Sequence, residues 1–257
     1  MGVRHTTDNV YLVDESGTYV MNGGTGEIVA EFPTGGSCSV CSGAIVINQT
    51  SGKVYIINES SLEAVTIIQD RGAPTFSDVP STYWAWQYIE SLYNSGITGG
   101  CATNPLSYCP TSPVTRAQMA VFLLKGIHGS SFAPPAVGGN TGFTDVDVTH
   151  WAAAWIKQLA AEAITSGCGS GIYCPENTVT RAQMAVFLLK ATHGSSYSPP
   201  NVSATFGDTS GHWAEDWIEQ LAAEGITSGC AAGLYCPENP VTRDQMAVFL
   251  VKAFNLP

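Results

Sequence analysis

A chain of 257 residues that is 44% hydrophobic and 10% aromatic carries enough apolar material for one large or two modest packed domains, which excludes disorder as the starting expectation. Only 12% of residues are charged and the net charge is −11, so long-range attraction to nucleic acid or anionic lipid is excluded, and any anion the protein binds must be caught locally. Gly, Ser, Thr, Asn and Pro fill the polar positions, which suits an exported protein, and no apolar run is long enough to span a bilayer as a helix.

Met1 to Asn9 lack the apolar core of a signal peptide, so an export signal is expected to have been removed, to lie upstream, or not to exist. From Val10 to Ile68 the pattern is of short strands, VYLV, TYVM, EIVAEF, AIVIN, KVYIIN and EAVTII, separated by turns such as GGTG, NQTSG and NESS. The stretch AIVINQTSGKVYIINESSLEAVTII reads as a meander and resembles blades of a β-propeller of the kind found in surface proteins. Fewer than two blades are present, whereas a closed propeller needs about four. Residues 1–73 are therefore expected to form either the remnant of a longer propeller or a small sheet with open edges. Open edges would allow subunits to assemble strand to strand.

Eight cysteines fall into four close pairs: Cys38 with Cys41, Cys101 with Cys109, Cys168 with Cys174, and Cys230 with Cys236. Local disulfides are the simplest pairing, each closing a short loop and contributing about 2 kcal/mol in the chain-entropy model. Such bonds persist only outside a reducing cytosol. Zinc is the competing reading, because a CxxC supplies half a tetrahedral site, but no histidine follows at metal-ligand spacing and no metal is expected.

From Phe76 onward one unit recurs with a period of about 62 to 67 residues. The copies span 76–129, 143–194 and 206–257, inside a module from 74 to 257. They are joined by HGSSFAPPAVGGNTG and HGSSYSPPNVSAT, whose composition marks extended linkers. In the second copy Trp151, Ala152, Trp155, Ile156, Leu159 and Ala160 follow helical spacing, which predicts one apolar stripe with the tryptophans in the core. A partner helix is expected to start at a capping box, Thr180 with Gln183, repeated as Thr115 with Gln118 and Thr242 with Gln245. The run from Met184 to Leu189 is apolar all round and must be buried on several sides. Each copy thus reads as helix, cysteine-closed loop, helix, too small to hide its apolar faces alone.

The order F-x-D, W-A, I-x-x-L, G-I or A-I, a proline, then V-T-R-A-Q-M-A-x-F-L resembles the S-layer homology family. That resemblance implies three copies packed about a pseudo-threefold axis, in a chain that is α+β with its strands and helices segregated. It also implies a non-catalytic, extracellular, cell-surface role. In the family the Asp of F-x-D, the Trp of W-A and the Arg of T-R line grooves for acidic, pyruvylated cell-wall polysaccharide. By position these are Asp78, Trp84 and Arg116, then Asp145, Trp151 and Arg181, then Asp208, Trp213 and Arg243. The chain departs from the family in carrying Gln118, Gln183 and Gln245 where Glu is usual, and in the cysteines flanking each loop.

Arg116, Arg181 and Arg243 stand at the first helical position, where free backbone N–H groups and the helix dipole favour an anion and a guanidinium can grip a carboxylate. The alternative role is structural, with Asp and Arg of neighbouring copies paired to hold register. The Asp145 and Asp147 cluster leaves calcium open. No cofactor is expected, and no nucleophile elbow, zinc-protease helix or phosphate loop is present. His128, His150, His193 and His212 read as repeat positions. The runner-up function is a self-assembling subunit of an extracellular fibre or lattice, a homo-oligomer held by protein contacts.

Overall fold

The computed structural model describes residues 74–200 and 204–257 in full and, before them, the backbone of seven strands. The chain divides into two compact units, Met1–Pro74 and Thr75–Pro257. In the first, β1 (Gly2–Val3), β2 (Asn9–Val13), β3 (Gly17–Asn22) and β4 (Ile28–Pro33) form one antiparallel sheet in sequential order. A register shift between Val20 and Met21 interrupts the β3–β4 ladder. β5 (Ala44–Asn48), β6 (Lys53–Ile57) and β7 (Val65–Gln69) form a second sheet, the meander expected of AIVIN to EAVTII. Cys38 and Cys41 lie outside the described residues.

The second unit is helical apart from a small hairpin, β8 (Ala102–Thr103) with β9 (Leu106–Ser107). Its first copy contributes α1 (Trp86–Asn94) and α2 (Arg116–His128), the second α3 (Ala153–Ala161) and α4 (Arg181–His193), the third α5 (Glu215–Ala223) and α6 (Arg243–Ala253). α1, α3 and α5 are amphipathic, burying Ile89 and Leu92, Ile156 and Leu159, and Ile218 and Leu221 on one face. α2, α4 and α6 bury the Met-Ala-x-Phe-Leu run on several sides and pack against one another to form the centre of the core.

The expected capping boxes form at α2 and α4, with Thr115 and Thr180 each accepting from the N–H of the Gln three residues on. At α6 the box is replaced. Asp244, standing where the other copies have Ala117 and Ala182, accepts from both the Thr242 hydroxyl and the Gln245 N–H. A carboxylate is a stronger acceptor than a hydroxyl, so it takes over the cap.

The copies interlock. Each short helix packs on the long helix of another copy: α3 on α2, α5 on α4 and α1 on α6. At the centre the Val179 N–H donates to Val114 O, Val241 N–H to Val179 O, and Val114 N–H to Val241 O, each at 2.9 Å. A closed ring of backbone bonds therefore links all three copies. Between copies, His128 meets Glu162 at 2.8 Å and His193 meets Glu224 at 2.9 Å.

Trp155 packs on the core as its spacing predicts, but the tryptophan of the W-A motif departs from the sequence expectation in each copy. Trp84, Trp151 and Trp213 are 61%, 60% and 64% exposed. Each precedes the helix N-cap, Ala85, Ala152 or Ala214, so the helical screw that buries Ile156 and Leu159 does not extend to it.

Candidate functional site

The site is built where the long helices begin. Helix starts leave N–H groups without intrahelical partners, yet here the first two are taken by carbonyls of another copy. Arg116 and Ala117 donate to Asn177 and Pro175, Arg181 and Ala182 to Asn239 and Pro237, and Arg243 and Asp244 to Ser112 and Pro110. The free backbone donors expected from sequence are thus occupied, and only side chains remain to receive an anion.

These contacts draw the arginines inside. Arg116, Arg181 and Arg243 are 4%, 3% and 5% exposed. Each Nε donates at 2.7 Å to a tyrosine carbonyl in another copy: Arg116 to Tyr173, Arg181 to Tyr235 and Arg243 to Tyr108. The same tyrosine returns a bond, its buried hydroxyl donating to the arginine's own carbonyl at 2.8 to 2.9 Å. The guanidinium lies over that tyrosine ring at 4.6 to 4.9 Å and over Phe187, Phe249 or Phe122 at 5.4 to 5.7 Å. Burial pushes each arginine's pKa down, opposed by the nearby tyrosine and by Asp145, Asp208 or Asp78. Burial pushes Tyr173 up to about 12, and raises Tyr108 and Tyr235 as well, against the pull of the arginine. In all three arginines Nη2 is buried without a hydrogen-bond partner.

Asp78, Asp145 and Asp208 each clamp the loop beside the arginine. Their two carboxylate oxygens accept from the N–H of Tyr108 and Cys109, Tyr173 and Cys174, and Tyr235 and Cys236, at 2.7 to 2.8 Å. At Asp208 burial raises the pKa, but these bonds and Arg181 outweigh it and leave it lowered. None of these aspartates forms an ion pair with the arginines within 4 Å among the described residues. The register role read from sequence for an Asp–Arg pair is carried instead by the tyrosine between them, whose N–H goes to Asp and whose C=O goes to Arg. The tyrosines were not singled out from sequence, although Tyr-Cys-Pro occurs in every copy.

Cys101–Cys109, Cys168–Cys174 and Cys230–Cys236 are disulfides. Asp78 lies close to the first, but bridged sulfurs lack the thiolate charge a metal needs. Asp147 Oδ1 accepts from the N–H and hydroxyl of Thr149, and the two Asp145 oxygens are engaged in the loop clamp.

Two grooves join these parts across copies. One of about 460 Å³ has the first copy's 97–101 loop, Gln118, Phe122 and Lys125 on its walls, with Trp151 of the second copy and Arg243 of the third. Another of about 320 Å³ repeats the set with the third copy's 226–230 loop, Gln245, Phe249 and Lys252, Trp84 of the first copy and Arg181 of the second. Trp151 and Arg243, and Trp84 and Arg181, are brought together, whereas Trp84 and Arg116 of one copy do not share either groove. In the second groove Arg181 Nη1 also reaches Gln245 Oε1 at 3.3 Å. The lysines were likewise missed from sequence. Lys125 and Lys252 donate to the carbonyls of Gly96 and Gly225 at 3.2 and 3.1 Å.

Interlocked repeats that pool an exposed tryptophan, a buried arginine and a lysine in shared grooves define a closed three-repeat module with composite grooves. The family model for the S-layer homology domain matches residues 75–120, 142–185 and 205–247, and the chain belongs to that family. Among curated relatives, it is 30% identical over 193 residues to cell surface glycoprotein 1 of Acetivibrio thermocellus, covering 70% of this chain and 8% of that one. A cellulosome-anchoring protein of the same organism is 28% identical over 175 residues, covering 67% of this chain and 37% of the relative. An endoglucanase of Bacillus sp. (strain KSM-635) is 28% identical over 176 residues, 67% of this chain but 18% of the enzyme. The chain therefore spans well under half the length of these relatives. Its family places the protein at the extracellular cell surface, where the repeats anchor it. No described helix is long and apolar enough to cross a membrane.

Proposed function

We propose that the module anchors the protein by gripping an acidic envelope glycan in grooves related by a pseudo-threefold axis. The observation that carries this reading is an arginine on the wall of each described groove, Arg243 in one and Arg181 in the other, without an ion pair among the described residues, in a chain whose net charge is −11. A buried cation without a counter-ion costs free energy, and a carboxylate arriving in the groove relieves that cost with a charge-assisted bond to the guanidinium. Trp151 or Trp84 supplies an apolar face beside it for a sugar ring, and Lys125 or Lys252 a second cation. A third groove, with Trp213 and Arg116 beside the Cys168 loop, follows from the repeat. Each contact is worth about 1.5 to 3 kcal/mol, so useful retention comes from linked sites on one polymer.

The test is retention on isolated cell-wall sacculi before and after chemical removal of their acidic polymer. Binding to intact sacculi alone supports the reading; equal binding to stripped sacculi refutes it. A second reading, self-assembly, draws on the outer strands β1, β4, β5 and β7, each paired on one side only among the described residues. Filaments of the pure protein in electron micrographs would favour it.

A further inference from the structure

The disulfides sit at an unusual place in the backbone. Cys109, Cys174 and Cys236 have φ of 56°, 59° and 60°, the left-handed region. That region is disfavoured for an L-residue, whose Cβ crowds the following carbonyl oxygen. The peptide immediately before each of these cysteines carries the tyrosine carbonyl that receives the arginine Nε. Were the cysteine to relax to negative φ, that peptide would swing relative to the following chain and carry its carbonyl off the guanidinium. Aspartate holds the two N–H groups flanking the tyrosine from one side. The disulfide holds the cysteine from the other, against the loop's opposite arm, where Cys101, Cys168 and Cys230 bond to Ser107, Ile172 and Leu234 carbonyls. Cys101 and Cys109 line the first groove and Cys230 lines the second.

We infer that each disulfide positions a groove arginine belonging to another copy: Cys101–Cys109 sets Arg243, Cys168–Cys174 sets Arg116, and Cys230–Cys236 sets Arg181. These cysteines are positioning residues, acting through the Tyr-Cys peptide. Their effect on glycan retention rests on the anchoring function proposed above; their effect on the arginine does not.

The experiment uses the full chain with Cys230→Ser and Cys236→Ser, followed by the arginine Nε–H signals in ¹⁵N NMR at a temperature where far-UV circular dichroism shows the module folded. The Arg181 signal shifts and exchanges faster with solvent while those of Arg116 and Arg243 stay in place. No change at Arg181, or equal change at all three, overturns the inference. A second variant, Cys230→Ser with Cys236→Gly, separates positioning from simple cross-linking. Glycine adopts left-handed φ without penalty, so its Arg181 signal returns toward the native position. Identical spectra for the Ser and Gly variants would overturn the inference too. If the variant folds poorly, wild-type protein treated with a dithiol, which is oxidised to its cyclic disulfide as the protein bridges open, gives the same readout for all three arginines. There, Nε–H signals unmoved after the bridges open refute the inference. Retention on sacculi is expected to fall about tenfold in the double-Ser variant, the scale of one lost charge-assisted contact. An NMR response without loss of retention upholds the positioning role and counts against the glycan.

Discussion

Arg181→Met separates a binding role for the arginines from a purely structural one. Methionine matches the length of the stem and removes the charge. The substitution gives up a 2.7 Å bond from Nε to Tyr235 O and a 3.3 Å bond from Nη1 to Gln245. The first is charge-assisted and worth about 1.5–3 kcal/mol. It also gives up the cation's attraction to the Tyr235 and Phe249 rings at 4.6 and 5.4 Å, about 1–2 kcal/mol together. Against this stands the burial of a guanidinium that is 3% exposed with Nη2 unpaired. Desolvation of a buried ion costs several kcal/mol, and replacing such ions by apolar groups of similar volume is often neutral or stabilising. The opposing contributions nearly cancel, so the expected change in stability is within about 1 kcal/mol of zero, or a Tm shift of about 2–4 °C at most for a unit of this size. Thermal unfolding of the full chain, read from the helical far-UV signal, measures the change, and sacculus retention is measured on the same sample. Near-native stability with reduced retention is the expected pair. A loss above about 3 kcal/mol would make the arginine a structural tie, and native retention would remove it from the binding groove.

Trp84→Ala is expected to change stability by no more than about 0.5 kcal/mol, since the side chain is 61% exposed, while lowering retention on intact sacculi. Ala163 ends α3 at φ 56°, where the other copies use Gly96 at 69° and Gly225 at 71°. Ala163→Gly should therefore raise stability by about 0.5–1 kcal/mol in urea unfolding. Burial pushes Tyr173 up to about 12 and also raises Tyr108 and Tyr235, whereas an unfolded tyrosine titrates near 10. A folded pKa above the unfolded one means the stabilisation is complete below about pH 10 and is lost as pH climbs through 12. Tyr173→Phe should flatten that alkaline decline while costing about 1 kcal/mol at neutral pH through its lost bond to Arg116 O.

What was legible in the sequence was local. Thr115 with Gln118 and Thr180 with Gln183 announced helix starts because a capping box is a local device, closed within three residues of the cap, and AIVIN and KVYII marked strands because short β-branched and aromatic runs stand between turn residues. Thr242 failed to cap only because Asp244 outcompeted it. Trp151 was misplaced because it satisfies helical spacing while standing just outside the helix. A repeat says which residues are equivalent and not which copies touch, so the meeting of Trp151 with Arg243 and of Trp84 with Arg181 was not legible in the sequence. Tyr108, Tyr173 and Tyr235 did leave a signal. A large aromatic held at one position of an otherwise polar loop, three times over, needs a buried reason.

The way the copies touch explains why the unit holds three. In an open solenoid each repeat contacts its neighbours in sequence, and terminal repeats can be added or lost. Here α1 of the first copy packs on α6 of the third, and Val114 bonds to Val241, so the array closes on itself. The groove at Lys125 draws its loop from the first copy, its tryptophan from the second and its arginine from the third. Deleting a copy thus removes a wall from each groove described rather than one groove of several. The same closure that hides the apolar faces therefore assembles each described groove from all three copies.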